Sequence, residues 1–155
     1  MDGGPTLKNV LGSKREEEEK EGILEDTGAA LASLHHDGII HGRPALRDIT
    51  YLDGKLTFLD WENRMYARDR ETLKALDFLL LLQGICRENY SEEKSRVAAV
   101  IRGMRKTEEN GGAPSVENAR QFLKHHSIIG SLVHLLSPFQ MKDIESVRKI
   151  YDYLK

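Results

Sequence analysis

Residues able to do chemistry crowd into one stretch of this 155-residue chain. It reads Leu34-His35-His36-Asp37-Gly38-Ile39-Ile40-His41-Gly42-Arg43-Pro44-Ala45-Leu46-Arg47-Asp48-Ile49. A second run follows closely, Asp53-Gly54-Lys55-Leu56-Thr57-Phe58-Leu59-Asp60-Trp61-Glu62. Carboxylates can accept a proton or bind a hard cation, whereas guanidinium groups stay charged and suit phosphate. Residue type alone leaves plainer roles open. Asp48 and Asp60 can be turn residues, Arg43 and Arg47 salt-bridge partners, and His41 a buried ring bonded to backbone. Glu62 is equally open, as an acidic ligand or half of a structural pair. The pairs His35-His36 and His125-His126 do not make a zinc site, because neighbouring helical residues point apart and no Cys or further His stands at ligand spacing. Cys86 lies in an apolar helical stretch with no activating pattern around it.

Positioning these residues falls to a helix before them and a hairpin between them. Leu24, Thr27, Leu31 and Leu34 recur at helical spacing, with Ala29, Ala30 and Ala32 between them, and predict a long helix over 21–37 that packs closely on a neighbour. Asp37-Gly38 is its expected stop. The charged run 14–21 is expected as a solvated loop or first helical turn, its acids suited to a helix N-terminus. Residues 49–52 and 56–59 read as strands around an Asp53-Gly54 turn. That pairing places Asp48 and Asp60 at one end of the hairpin. Before all this, Gly3-Gly4-Pro5-Thr6 signals a turn, and Leu7, Val10 and Leu11 one face of a short helix. Beyond Arg68 the chain reads as helical. Leu73, Leu76 and Leu80 share a face, with 79–82 in a central buried helix. Val97, Val100, Ile101 and Met104 mark the next helix, which 110–114 breaks. Ser115 is the expected N-cap of a helix carrying Ala119, Phe122 and Leu123. An apolar segment, 128–136, closes at Ser137-Pro138. A last stripe runs through Met141, Ile144, Val147, Ile150, Tyr151 and Leu154.

The 34–62 stretch resembles the catalytic core of the protein-kinase-like superfamily, most closely small members such as the bacterial lipopolysaccharide-core kinases and the Bud32-like atypical kinases. There a helix ends in a Leu-His-x-x-Gly-Ile turn, a His-Gly-Asp or His-Arg-Asp loop follows, and a hairpin leads to an Asp-Phe-Gly or Asp-Phe-Glu metal-binding turn. The resemblance implies a mainly α fold with a small β-hairpin, equivalent to that family's C-terminal lobe. It divides the chain into a hinge-like segment and short helix (1–13), the long helix (21–37), the catalytic-loop and metal-turn region (38–62) and a helical subdomain (69–155). It implies catalytic positions at His41, mainly as a brace, Arg43 and Asp48, and metal ligation by Asp48 and Asp60. Asp69 or Asp77 is expected to anchor the loop. Mg²⁺ and ATP are the implied cofactors, and the implied reaction moves the γ-phosphoryl group to a hydroxyl on protein, sugar or lipid-linked glycan.

Two departures qualify that expectation. Arg43 stands where the family has its catalytic aspartate, and arginine takes no proton at neutral pH. Asp48, seven residues after His41 where a metal-binding asparagine is usual, is therefore both metal ligand and candidate base. Arg43 or Arg47 can instead hold a phosphate. The chain also contains no G-x-G-x-x-G motif, and about twenty residues precede the long helix. The expectation is thus a phosphotransferase lobe incomplete as an isolated chain, binding ATP weakly; the alternative is a non-catalytic pseudokinase or truncated interaction module. Leu7, Val10, Leu52 and Leu59 are expected to face an apolar seam that an N-terminal lobe, the chain's own N-terminal segment or a second copy would cover.

Composition narrows the remaining classes. With 39% hydrophobic and 31% charged residues the chain reads as a soluble globular domain. Lys and Arg number 23 against 25 Asp and Glu, so nothing in the net charge of -2 favours nucleic acid. One cysteine makes no internal disulfide. No run approaches the roughly twenty apolar residues of a membrane span, and the first residues have no signal-peptide pattern. A cytoplasmic location without membrane insertion is the expectation.

Overall fold

A computed structural model describes residues 3–61, 69–88, 90–110, 115–125 and 141–154. Six helices and one two-stranded sheet occupy them: α1 (Leu7–Leu11), α2 (Glu17–His36), β1 (Ile49–Leu52), β2 (Lys55–Phe58), α3 (Arg70–Arg87), α4 (Glu93–Glu109), α5 (Ser115–His125) and α6 (Met141–Tyr153). The fold is mainly α with a small β-hairpin, as the sequence predicts. Its boundaries differ in instructive places.

The long helix starts four residues earlier than expected, inside the acidic run. Glu17, Glu18 and Glu19 form its first turn, where the helix dipole favours negative charge. Glu17 also pairs through both carboxylate oxygens with Arg96, a fully buried side chain of α4 that stacks 4.2 Å from the Tyr90 ring centroid. At the other end, Gly38 takes a φ of 75°, its N–H bonds the His35 carbonyl at 3.1 Å, and the Ile39 N–H reaches back to Leu34 at 2.8 Å. These two bonds form a Schellman motif, so the Asp37-Gly38 stop arises from glycine's access to positive φ. On the buried stripe the expected Leu34 is only half-buried, and His35 takes its place beside Leu24, Thr27 and Leu31.

Helices α2 and α4 cross in close contact. A Cβ on Gly28 would lie 2.2 Å from the Val100 carbonyl oxygen, and one on Gly103 would lie 1.8 Å from that of Glu25. Backbones approach this closely only where both side chains are absent. The alanine-rich α2 therefore does pack tightly, as its small residues suggest. Helix α3 is the central element, set against α4, α5 and α6, with residues 73–79 all buried. Leu79, Leu81 and Leu82 are buried and Leu80 half-buried, so the 79–82 run belongs to the core. Ile150 and Leu154 bring α6 onto the same core, while the 128–136 segment, Ser137-Pro138 and the Met141, Ile144 and Val147 side chains lie outside the described residues.

Ser115 is not an N-cap. It is the first residue of α5, and its hydroxyl turns inward to His35. Glu108 of α4 serves the first turn of α5 instead, accepting the Val116 N–H at 2.9 Å.

The hairpin pairs Ile49 with Phe58, Thr50 with Thr57, Tyr51 with Leu56 and Leu52 with Lys55. The second strand thus begins and ends one residue before expectation, leaving Asp53 and Gly54 as a two-residue turn with φ of 49° and 80°. Positive φ at both positions matches the twist of the flanking strands. The N-terminal segment lies along the outer edge of β1: the Tyr51 N–H bonds Pro5 at 3.0 Å, and Thr6 bridges Thr50. No helix among the described residues is long and apolar enough to cross a membrane.

Candidate functional site

Asp77 organises the site from the middle of α3. It is fully buried, and a carboxylate there must be hydrogen-bonded or it becomes costly. Its Oδ2 accepts the backbone N–H of His41 at 2.7 Å and faces His35 Nε2 at 3.2 Å; its Oδ1 accepts the Gly42 N–H at 2.8 Å. Asp77 is therefore the residue that anchors the loop. Asp69 has a different task, capping α3 by accepting the Thr72 N–H at 2.9 Å and the Thr72 hydroxyl at 2.6 Å. Those Thr72 bonds hold the Asp69 carboxyl below its ordinary range.

His35 carries the anchor further. With Asp77 as acceptor, its Nε2 holds a proton, which leaves Nδ1, 3.3 Å away, to the Ser115 hydroxyl. One buried ring thereby joins the end of α2, the middle of α3 and the start of α5. The sequence reading missed this role. The available signal was periodicity: His35 falls four residues after Leu31, on the helix face that continues the apolar stripe.

His41 is a brace on both nitrogens. Nε2 donates to the Leu59 carbonyl at 2.8 Å, and Nδ1 accepts the Arg43 N–H at 3.3 Å. The buried ring packs 4.7 Å from Trp61 and 5.8 Å from Phe58, measured between centroids. These bonds tie the loop to the far end of β2.

Asp48 and Asp60 do emerge at one end of the hairpin. The Leu59 N–H bonds the Asp48 carbonyl at 2.7 Å, extending the ladder one step past Ile49 and Phe58. Asp48 is 9% exposed, and its Oδ2 is buried with no hydrogen-bond partner among the described residues. Arg47 Nε stands 3.5 Å from Asp48 Oδ1. Asp60 is exposed and takes a φ of 54°, a left-handed conformation that no hairpin turn explains as it does for Asp53. Arg43 Nη2 lies 3.7 Å from Asp60 Oδ2. The structure thus brings Arg43, Arg47, Asp48 and Asp60 to one edge, above a loop that His41 and Asp77 hold. Glu62 lies outside the described residues. Among the described residues no three His, Cys, Asp or Glu side chains gather as a metal site.

The expected seam divides. Leu7 and Val10 are buried in the core, because α1 folds under the hairpin with its Lys8 N–H on the Leu46 carbonyl at 3.1 Å. Leu52, at the turn end of the hairpin, and Leu59, past its open end, remain 45% and 44% exposed, and Trp61 is 49% exposed.

No protein-family model matches the chain. A Haemophilus influenzae protein described only as uncharacterized is 30% identical to it over 150 residues, which is 96% of this chain. The chain spans 60% of that relative's length.

Proposed function

We propose that this chain is the C-terminal lobe of a protein-kinase-like phosphotransferase, moving the γ-phosphoryl group of ATP to a hydroxyl on protein, sugar or lipid-linked glycan. The observation that carries the reading is the convergence of Asp48 and Asp60 at one hairpin end, beside a loop pinned by Asp77. The unpartnered, buried Asp48 Oδ2 fits an oxygen ligand for a hard cation. Asp48 and Asp60 would hold Mg²⁺, which neutralises phosphate charge when the nucleotide is bound. His41 keeps the loop at a fixed distance from the Asp60 turn. Asp48 is the candidate proton acceptor, and Arg43 and Arg47 orient phosphate oxygens. An N-terminal lobe covering Leu52, Leu59 and Trp61 would complete the nucleotide site, in a cytoplasmic protein.

Arg43 favours a second reading, a non-catalytic pseudokinase module that keeps the fold for interaction, because a permanent cation sits beside Asp60 in place of a base. Phosphoryl transfer by the product of the full reading frame separates the two. ATP- and Mg²⁺-dependent turnover that D60N abolishes supports the enzyme. Nucleotide binding without turnover supports the module. Absence of both overturns the kinase-like reading.

A further inference from the structure

Asp-Gly occurs twice among the described residues, at Asp37-Gly38 and at Asp53-Gly54. This dipeptide is chemically weak, because a glycine nitrogen with no side chain beside it can reach the carboxyl carbon of the residue before it. Both aspartates are exposed, so both carboxyl groups meet solvent. The two glycines differ. The Gly38 N–H is committed to the His35 carbonyl at 3.1 Å, and the Ile39 N–H closes the same helix end on Leu34 at 2.8 Å. Arg70 covers that glycine: its Nη2 donates to the Gly38 carbonyl and would lie 3.3 Å from a Cβ there. Gly54 has neither restraint. No backbone carbonyl among the described residues accepts its N–H, and a Cβ on it would meet nothing within 4 Å. Asp53 holds a φ of 49°, uncommon for a residue with a side chain, at the tip of a two-stranded sheet whose last pair is Leu52 with Lys55. Local opening at such a tip breaks few contacts.

We propose that Asp53 is a site of spontaneous isoaspartate formation in the folded protein, and that the fold protects Asp37 from the same reaction. The Gly54 amide nitrogen bonds to Asp53 Cγ and gives up its proton, and the carboxyl hydroxyl takes that proton and leaves as water. Water then reopens the cyclic imide. Attack at Cγ restores aspartate. Attack at the Asp53 main-chain carbonyl leaves that carbon as a free carboxylate and routes the chain through Cβ and Cγ. The isoaspartyl turn carries an extra main-chain carbon, so it no longer fits a two-residue connection between Leu52 and Lys55.

Warm incubation of this chain at mildly acidic pH, native and in urea, tests the proposal by peptide mapping. An isoaspartyl peptide keeps its mass, shifts in chromatography and resists an aspartate-specific protease. In the native chain the isomer is expected to form at Asp53 about tenfold or more faster than at Asp37, where hydrogen bonds must first be released. In urea both sites are expected to convert at similar rates. D53E, whose longer side chain disfavours the imide, is expected to lose the isomer from the peptide containing residue 53 while keeping native helical circular dichroism. Native conversion at Asp37 as fast as at Asp53 overturns the protection. A gap of the same size in urea does so too, because it places the selectivity in the sequence rather than the fold. Conversion at Asp53 in urea but not in the native chain overturns the proposal, as does an isomer of that peptide that survives in D53E.

Discussion

Asp77 satisfies three donors at once, so its loss leaves several buried polar groups without partners. Each such group costs about 1–3 kcal/mol, and D77A is expected to lower stability by about 3 kcal/mol or more in urea unfolding. D77N, which keeps one acceptor oxygen, is expected to cost less; equal, small effects of both would show that the loop does not depend on this carboxylate. Cys86 makes a different prediction. Burial, with the nearby Glu93 charge second, pushes its thiol up to about 12 from an ordinary value near 9. The folded form thus favours the protonated thiol. Its contribution is fully present below about pH 9 and is lost as pH rises towards about 12. Tyr153 shifts upward as well, through burial and its hydrogen bond to Glu93, and pulls in the same direction. Unfolding midpoints measured from pH 8 to 11 are expected to fall, and a thiol reagent at pH 8 is expected to label only the unfolded chain. A flat profile with rapid native labelling would refute both. At this scale the sequence exposed Asp48 and Asp60, because a strong hairpin signal fixed their relation. The partner of His35 was hidden: Ser115 is 80 residues away, and only tertiary packing brings them together.

At the level of elements, the α2–α4 crossing is the most sharply constrained contact. G28A and G103A each place a methyl group against a facing carbonyl oxygen, so the helices must move apart. Overpacking of this kind costs about 1–3 kcal/mol, and the double variant is expected to fall short of additivity because one displacement relieves both clashes. Independent, additive losses in chemical denaturation would mean the two glycines do not share one crossing. The small residues of α2 announced a close partner without naming it. Helix periodicity and the Asp37-Gly38 and Asp53-Gly54 signals were legible because local chemistry sets them. The true start of α2 was not, because Glu17 belongs to the helix partly through Arg96 on a distant element. Hydrogen bonding to Arg96 holds the Glu17 carboxyl below its ordinary range, so this clamp contributes stability above the unfolded pKa and weakens as pH falls through the folded one.

For the molecule as a whole, the missing part of the comparison matters most. The Haemophilus influenzae relative extends well beyond the matched region, and the exposed Leu59 and Trp61 lie beside the candidate site, with Leu52 exposed at the turn end of the hairpin. The chain alone is expected to give little heat with Mg²⁺ and ATP, since it contains no G-x-G-x-x-G motif to hold the phosphates. A tight, metal-dependent titration would show a second phosphate-binding element in this chain. The loop 38–48 also has a kinetic character unlike that of an ordinary surface connection. The amides of His41 and Gly42 belong to no helix or strand, yet they end on a carboxylate embedded in the central helix. Their exchange with deuterium therefore requires α3 itself to open. These two amides are expected to persist in D₂O as long as the core amides of α3, while the amides of the Asp53-Gly54 turn are replaced at once.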